Sequence, residues 1–201
     1  MSVKQTLFLL AFVSSLAATG CRVDSHKTGD SDNVKIATPF GGMQVKTNDA
    51  AVQSSIGLPI YPGATLVKND KDNAAADVNM SFGSFQFRVK AVSYRTEDSP
   101  EKVQAFYRDA LGRFGGVILC SDSRPVGTPT HTPEGLTCDT DRHSDFHAGS
   151  NSSKQLQLKA GSQQHQHIVA LEQDGSGTKL GLVALDLPGH LSIGDKHESS
   201  Q

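Results

Sequence analysis

Histidine and aspartate side chains concentrate in two stretches of the second half of the chain, where they could bind a metal ion. The residues with suitable side chains are Asp139, Asp141, His143, Asp145, His147, His165 and His167. His165 and His167 would lie on one face of a strand, a geometry in which two imidazoles can hold zinc or copper. His143 and His147 would share a face only in a helix, which the Ser, Asp and Gly content of their stretch disfavours. The leading interpretation is that these side chains are solvated and that the protein has no cofactor. The alternative is a surface zinc or copper site formed by these four histidines.

Sequence motifs of enzymes are absent from the chain. Gly161-Ser162-Gln163 lacks the closing glycine and the strand-to-helix context of a nucleophile elbow. Gly175-Ser176-Gly177 is better explained as a turn, and no glycine-rich phosphate loop is present. The sequence therefore predicts a protein that is not an enzyme.

The start of the chain has the organisation of an export signal. Lys4 supplies a positive charge, and residues 7–13 form an apolar run that is too short to span a bilayer. The stretch from Leu16 to Cys21 resembles a bacterial lipoprotein signal, in which the cysteine is lipidated and becomes the mature N-terminus. Ala18 departs from that pattern, because leucine is commonest at its position. The alternative is an ordinary secretory signal that is cleaved near Ala18 or Gly20.

The lipoprotein resemblance implies a location and a partner. Several acyl chains on Cys21 would anchor the protein stably, whereas one chain would not. Arg22 follows the cysteine, where an inner-membrane lipoprotein usually has Asp. The resemblance therefore implies a protein of the cell envelope, sorted to the outer membrane and facing the periplasm, with the membrane as partner through the N-terminal lipid.

The two remaining cysteines predict a disulfide. The chain contains three cysteines, so lipidation of Cys21 would leave Cys120 and Cys138 as a pair. Such a pair in an oxidising compartment forms a disulfide. A thiolate metal site is the alternative, but the spacing is wider than the Cys-x-x-Cys of zinc sites.

The charge balance excludes one class of partner. The chain carries 19 Lys and Arg against 21 Asp and Glu, a net charge of −2 with neutral histidines. Binding to nucleic acid requires a basic excess. We therefore expect no nucleic-acid partner, and an envelope protein remains a possible one.

The clearest helical pattern runs from Ser99 to Phe114. Apolar residues recur from Val103 onward at the i, i+3, i+4, i+7, i+8 and i+11 positions of a helix with one buried face. Asp98 and Ser99 are both possible N-caps, and Glu101 could complete a capping box.

Alternating patterns predict strands on both sides of this helix. Before it, residues 75–82 and 85–96 alternate, and Gln86, Arg88 and Lys90 share one face of the second strand. After it, strands are predicted at 116–121, 135–140, 156–160, 166–173 and 178–187. The last two are joined by a hairpin turn at Asp174-Gly175-Ser176-Gly177.

Two stretches resemble a family of uncharacterised bacterial envelope lipoproteins. Leu58-Pro59-Ile60-Tyr61-Pro62-Gly63-Ala64 matches their "YPGA" segment, and the residues from Thr96 to Arg108 match their "SPEKVxxFYR" signature. The strand start Gly177-Thr178-Lys179-Leu180 also fits. The resemblance implies a small α+β domain and supplies no catalytic residue.

The predicted organisation has five parts. They are a signal peptide at 1–20, a lipidated cysteine with a flexible tether at 21–33, a β-hairpin plus short helix at 34–57, an α+β domain at 58–190 and a polar tail at 191–201. The expected fold is α+β, a twisted antiparallel sheet with one main amphipathic helix packed on one face. Whether residues 34–57 join the main sheet is left open at this point.

Overall fold

A computed structural model describes residues 21–29, 31–68, 74–138 and 155–188. Within these ranges the chain forms one antiparallel sheet of eleven strands. The strands are β1 (Arg22–Thr28), β2 (Ser31–Thr38), β3 (Gly41–Lys46), β4 (Thr65–Leu66), β5 (Ala75–Phe82), β6 (Phe85–Thr96), β7 (Ile118–Ser121), β8 (Arg124–Pro125), β9 (Leu156–Gly161), β10 (His165–Asp174) and β11 (Gly177–Asp186). Their order is β1-β2-β3-β5-β6-β11-β10-β9-β7-β8, and β4 pairs with the end of β6. The predicted signal at 1–20 and tail at 191–201 lie outside the described residues.

Two short helices cover one face of this sheet. They are α1 (Asp49–Ile56) and α2 (Pro100–Leu111), the second followed by a 3-10 turn at Gly112–Phe114. α1 packs on β5, β6 and β11, and α2 packs on β9, β10 and β11. The predicted α+β class with an antiparallel sheet is confirmed, whereas the single main helix is not. A twelve-residue helix is about 18 Å long and strands lie about 4.8 Å apart, so one such helix reaches across only a few strands.

The inner stripe of α2 forms the centre of the core. Val103, Tyr107 and Leu111 are fully buried against side chains of β9, β10 and β11. Ser99 occupies the N-cap position, but its side chain makes no capping hydrogen bond, so this part of the capping prediction is wrong. Asp98 does not cap the helix either, because its carboxylate binds the Tyr61 hydroxyl and the Lys102 ammonium group.

The segment that carries the family-like "YPGA" motif is held against α2 by two tyrosines. The Tyr61 backbone N–H donates to the Tyr107 hydroxyl oxygen at 3.1 Å, and that hydroxyl donates to the Pro59 carbonyl at 3.1 Å. The Tyr61 hydroxyl donates to Asp98 Oδ2 at 2.8 Å. Gly63 has a φ of +76°, the conformation that the third residue of a type II turn requires. The motif residues therefore form turn and core.

α1 is held by polar contacts at its N-terminal end and is ended by a glycine. Asn48 Oδ1 accepts a hydrogen bond from the Ala51 N–H at 2.8 Å, which makes Asn48 the N-cap. Asp49 Oδ1 accepts from the N–H groups of Ala74 and Ala75, which ties the helix to β5. Gly57 ends the helix with a φ of +78°.

The N-terminal strands differ from the predicted tether. Residues 22–28 form β1, which pairs along its whole length with β2, and β3 pairs in turn with β5. The strands of the predicted hairpin at 34–57 therefore belong to the main sheet, and the short helix packs on it. The tether prediction failed because a polar strand with exposed side chains is held by backbone hydrogen bonds alone, which leave no hydrophobic pattern.

The predicted disulfide is present between Cys120 and Cys138. Both cysteines are buried with Ile118 in a small cluster of their own. The strand predicted at 135–140 is absent over its described residues, 135–138. The bridge therefore ties β7 to an irregular segment instead of joining two strands.

No helix in the described part of the chain combines the length and the apolar character needed to cross a bilayer.

Candidate functional site

Two rows of mainly polar side chains cross the helix-bearing face of the sheet where the helices end. Pairing across β3, β5, β6, β11 and β10 aligns the first row, Gln44, Asn79, Arg88, Asp186 and His165. The second row is Lys46, Asp77, Lys90, Ala184 and His167. Alternate residues of a strand face the same side of the sheet. The polar side chains of one strand therefore lie beside those of the neighbouring strand and form continuous rows.

An open depression lies over the first row. A cavity of about 440 Å³ is lined by Asn79, Ser84, Gln86, Phe87, Arg88, His165, Asp186, Leu187 and Pro188. A smaller cavity of about 170 Å³ is lined by Gln44, Lys46, Asp77, Asn79 and Arg88. The two share Asn79 and Arg88 and are called the polar cleft below. Its larger part is in the size range of small-ligand sites.

The border between the cleft and the covered core is set by the end of α1. The Lys90 ammonium group donates to the Ser55 carbonyl at 3.0 Å, in the last turn of that helix. A cation in this place stabilises the free carbonyls and the negative end of the helix dipole. The second row therefore closes the core, and the first row is left open.

Arg88 and Asp77 form the best-ordered pair of the cleft. Arg88 Nε donates to Asp77 Oδ1 at 2.8 Å, and Nη2 donates to Oδ2 at 2.5 Å, a two-point contact. These hydrogen bonds lower the pKa of the Asp77 carboxyl, although its burial acts in the opposite direction. Asp77 is therefore ionised at neutral pH and positions the guanidinium of Arg88. A carboxylate with a lowered pKa is poorly suited to serve as a general acid or base.

His165 stands at the other end of the first row. Its Nδ1 lies 2.9 Å from Asp186 Oδ1, and both side chains are solvent-accessible, so the pair is worth little to stability. The His165 ring thus contacts a carboxylate, and the cleft presents groups of both signs beside the neutral amides of Asn79 and Gln86. This set of donors and acceptors suits binding of a polar ligand.

The histidines predicted to bind metal fall into two groups. His165 and His167 do share one face, since they pair with Asp186 and Ala184 on β11. His167 is packed differently, with its ring stacked on Phe114 at a centroid distance of 3.7 Å. Burial lowers the pKa of His167, and its Nδ1 has no hydrogen-bond partner among the described residues.

The rest of the predicted metal cluster cannot be placed beside them. Asp139, Asp141, His143, Asp145 and His147 lie outside the described residues. In the described part of the chain, no group of three or more His, Cys, Asp or Glu side chains is arranged to hold a metal ion.

Sequence reasoning identified one strand of the cleft but not the cleft itself. The alternation of Gln86, Arg88 and Lys90 predicts that they share one face of β6, and it does not show what lies beside them. Arg95, further along the same strand, lies on the opposite face, where it contacts Glu97 and Asp174. The sequence does not contain the pairing register, which aligns one residue from each of five strands in a single row.

Comparison with known proteins found no matching family model, curated protein or solved structure. The resemblance to envelope lipoproteins therefore stays a prediction from the motifs.

The contact between Asp77 and Arg88 predicts a pH-dependent stability. A carboxyl whose folded pKa lies below its unfolded value of about 3.9 stabilises the protein fully above that value and loses the contribution as pH falls through the folded pKa. We expect Asp77→Asn to lower the free energy of unfolding at pH 7 by about 1–2 kcal/mol, since the Arg88 side chain is 39% exposed and water screens the pair. The loss should shrink below pH ~4, as measured by urea unfolding.

The control for this prediction is Asp186→Asn, which alters the more exposed pair with His165. It should cost less than about 1 kcal/mol. An Asp77→Asn effect no larger than the Asp186→Asn effect would contradict the assignment.

Proposed function

We propose that the protein is a lipoprotein of the bacterial cell envelope, anchored through Cys21 and sorted to the outer membrane on its periplasmic side. Its domain would have a non-catalytic binding or structural role. One observation carries the proposal: Cys21 is exposed and free at the start of β1, while the other two cysteines are paired inside the protein.

The cysteine pairing supports an envelope location. A structural disulfide is typical of an oxidising compartment, where an exposed free thiol is open to oxidation and to intermolecular pairing. Acylation of Cys21 would remove that thiol and use the only described cysteine that is not in a disulfide. The same modification is the one that the preceding signal-like segment implies.

The polar cleft supports a binding role. Its charged groups of both signs flank neutral amides, so a polar ligand or protein segment with both donors and acceptors would find partners there. Arg88 is held by Asp77 and keeps part of its side chain exposed. This arrangement holds a recognition group in place.

The anchor is tested by Cys21→Ser in the full chain. We expect wild-type protein to be found in the membrane fraction and to carry the mass of several acyl chains, and Cys21→Ser to lose the acyl mass and to appear in the soluble fraction. His26→Ser, on the same exposed strand, should behave like wild type. A wild-type protein that carries no acyl mass on Cys21 would refute the anchor.

A second arm of the experiment tests the cleft in intact cells. A photo-activatable residue placed at Gln86, in the cleft, should give a discrete crosslinked product with a ligand or envelope protein. The same residue at Ser176, in the turn between β10 and β11, should give none. A product at both positions or at neither would argue against binding at the cleft.

The zinc- or copper-binding alternative stays a prediction. Of its four residues, His165 and His167 are placed on one face of β10, and His143 and His147 lie outside the described residues. Metal content of the purified full chain tests it directly.

A further inference from the structure

The first five strands of the sheet order, β1, β2, β3, β5 and β6, carry an apolar surface on the side that faces away from the helices. Register aligns one row of it as Val23, Ile36, Met43, Met80 and Phe87. The next row is Ser25, Val34, Val45, Val78 and Val89. A third row, at the end of the strands, contains Thr38, Gly41, Phe82 and Phe85. These rows, called the outer apolar face below, contain no charged side chain.

The end of this face is strongly exposed. Phe40, in the turn between β2 and β3, is 85% exposed, and Phe82, beside the turn between β5 and β6, is 55% exposed. Val23 on β1 is 62% exposed. Large apolar side chains that are exposed together on one surface indicate an interaction site.

Cys21 lies at the corner of the same surface. Arg22 pairs with Ala37, so Cys21 comes next to Thr38 and to the turn that carries Phe40. Because side chains alternate along a strand, Cys21 is on the face of Val23. Acyl chains on its sulfur would therefore leave the protein at the edge of the outer apolar face.

The other face of the same strands has the opposite character. It carries Lys35, Lys46, Asp77 and Arg88, and it contains the polar cleft. Over the three rows, this half of the sheet is thus apolar on the side of Cys21 and charged on the other, and Lys27, Asp32 and Arg95 lie beyond the rows on the side of Cys21. An apolar area bordered by charges is the asymmetry of a structure that lies at a membrane–water interface.

We propose that the outer apolar face rests on the bilayer that holds the Cys21 acyl chains, with Phe40 and Phe82 in the boundary between headgroups and acyl chains. The inference rests on the lipid anchor proposed above and adds a second contact, made by the domain itself. It directs the polar cleft away from the membrane. The bilayer is favoured over a second copy of the chain because the acylated corner and the most exposed aromatic residue lie at one end of the face.

The absence of tryptophan from the sequence permits a direct test. Phe40→Trp and Phe82→Trp are made one at a time in the lipidated full chain, and the protein is placed in vesicles of phosphatidylethanolamine and phosphatidylglycerol with a fraction of dibrominated phosphatidylcholine. We expect the brominated lipid to lower the tryptophan emission of both variants roughly twofold or more, because residues at this depth touch the acyl chains. Ser176→Trp, in the turn between β10 and β11, serves as the control and should not be quenched.

The outcomes separate this proposal from the anchor. Vesicle flotation with no quenching at Phe40→Trp and Phe82→Trp would keep the anchor and overturn the membrane contact. If flotation fails as well, the same variants are titrated with the vesicles in a Cys21→Ser background, where saturable quenching would support the contact and its absence would overturn it. A shift of Phe82→Trp emission with protein concentration alone, in that background, would show that a second copy covers the face, and the proposal would be wrong.

Discussion

Replacing Tyr107 with alanine is expected to lower the free energy of unfolding by about 3–5 kcal/mol, as for other large aromatic side chains in a core. The Tyr107 side chain is fully buried, and its ring lies edge-on to Phe106 at a centroid distance of 5.0 Å. Its hydroxyl also holds the backbone of Pro59 and Tyr61. Alanine therefore opens a cavity and releases the segment that follows α1. Denaturant unfolding with the disulfide intact measures the loss.

A matched variant separates packing from hydrogen bonding. Tyr107→Phe keeps the ring and removes the hydroxyl, leaving the Tyr61 N–H and the Pro59 carbonyl without their partner, and should cost about 1–3 kcal/mol. A Tyr107→Ala loss below that of Tyr107→Phe would contradict the central position of this side chain in the core.

Removing the disulfide is expected to cost about 3 kcal/mol. The bridge joins residues 18 apart, and closing a loop of this length lowers the entropy of the unfolded chain by about that much in the chain-entropy model. The variant is the double substitution Cys120→Ala and Cys138→Ala, because alanine adds no polar atom to two buried positions. Thermal or denaturant unfolding is compared with and without a reductant.

The reductant supplies the internal control for this prediction. It should lower the stability of the wild-type protein toward that of the double variant and leave the double variant unchanged. Equal stability of the oxidised wild-type protein and the double variant would show that the bridge does not stabilise the fold.

Elements with strong local patterns were predicted closely. The strands 75–82 and 85–96 have the bounds that alternation indicated, and the buried face of α2 is the one that its apolar spacing marked. Local side-chain patterns suffice here because each element buries its own apolar positions. The helix fraying into a 3-10 turn at Gly112–Phe114 is a difference of a few residues at one end.

Elements that depend on distant partners were not predicted from the sequence. β1 has only exposed side chains and exists because β2 offers backbone hydrogen bonds along its edge. The Ser99 side chain was expected to cap α2, but Glu101 receives a hydrogen bond from Ser99, and this bond is the main cause of the lowered pKa of its carboxyl. Short polar segments have several partners available, and the choice among them is made by the surrounding structure.

The sequence by itself determined the pattern of apolar and polar residues along the strands of the core, the stripe of α2 and the cysteine pair. Only the tertiary structure decided which strands are neighbours and in what register. Alternation along β6 allows two faces but does not say what stands beside Arg88 or Phe87. Pairing with β5 and β11 places Asp77, Asn79 and Asp186 around Arg88. The same pairing aligns Phe87 with Met80 and Met43 on the other side, because hydrogen bonds between strands bring together residues that are far apart in the chain.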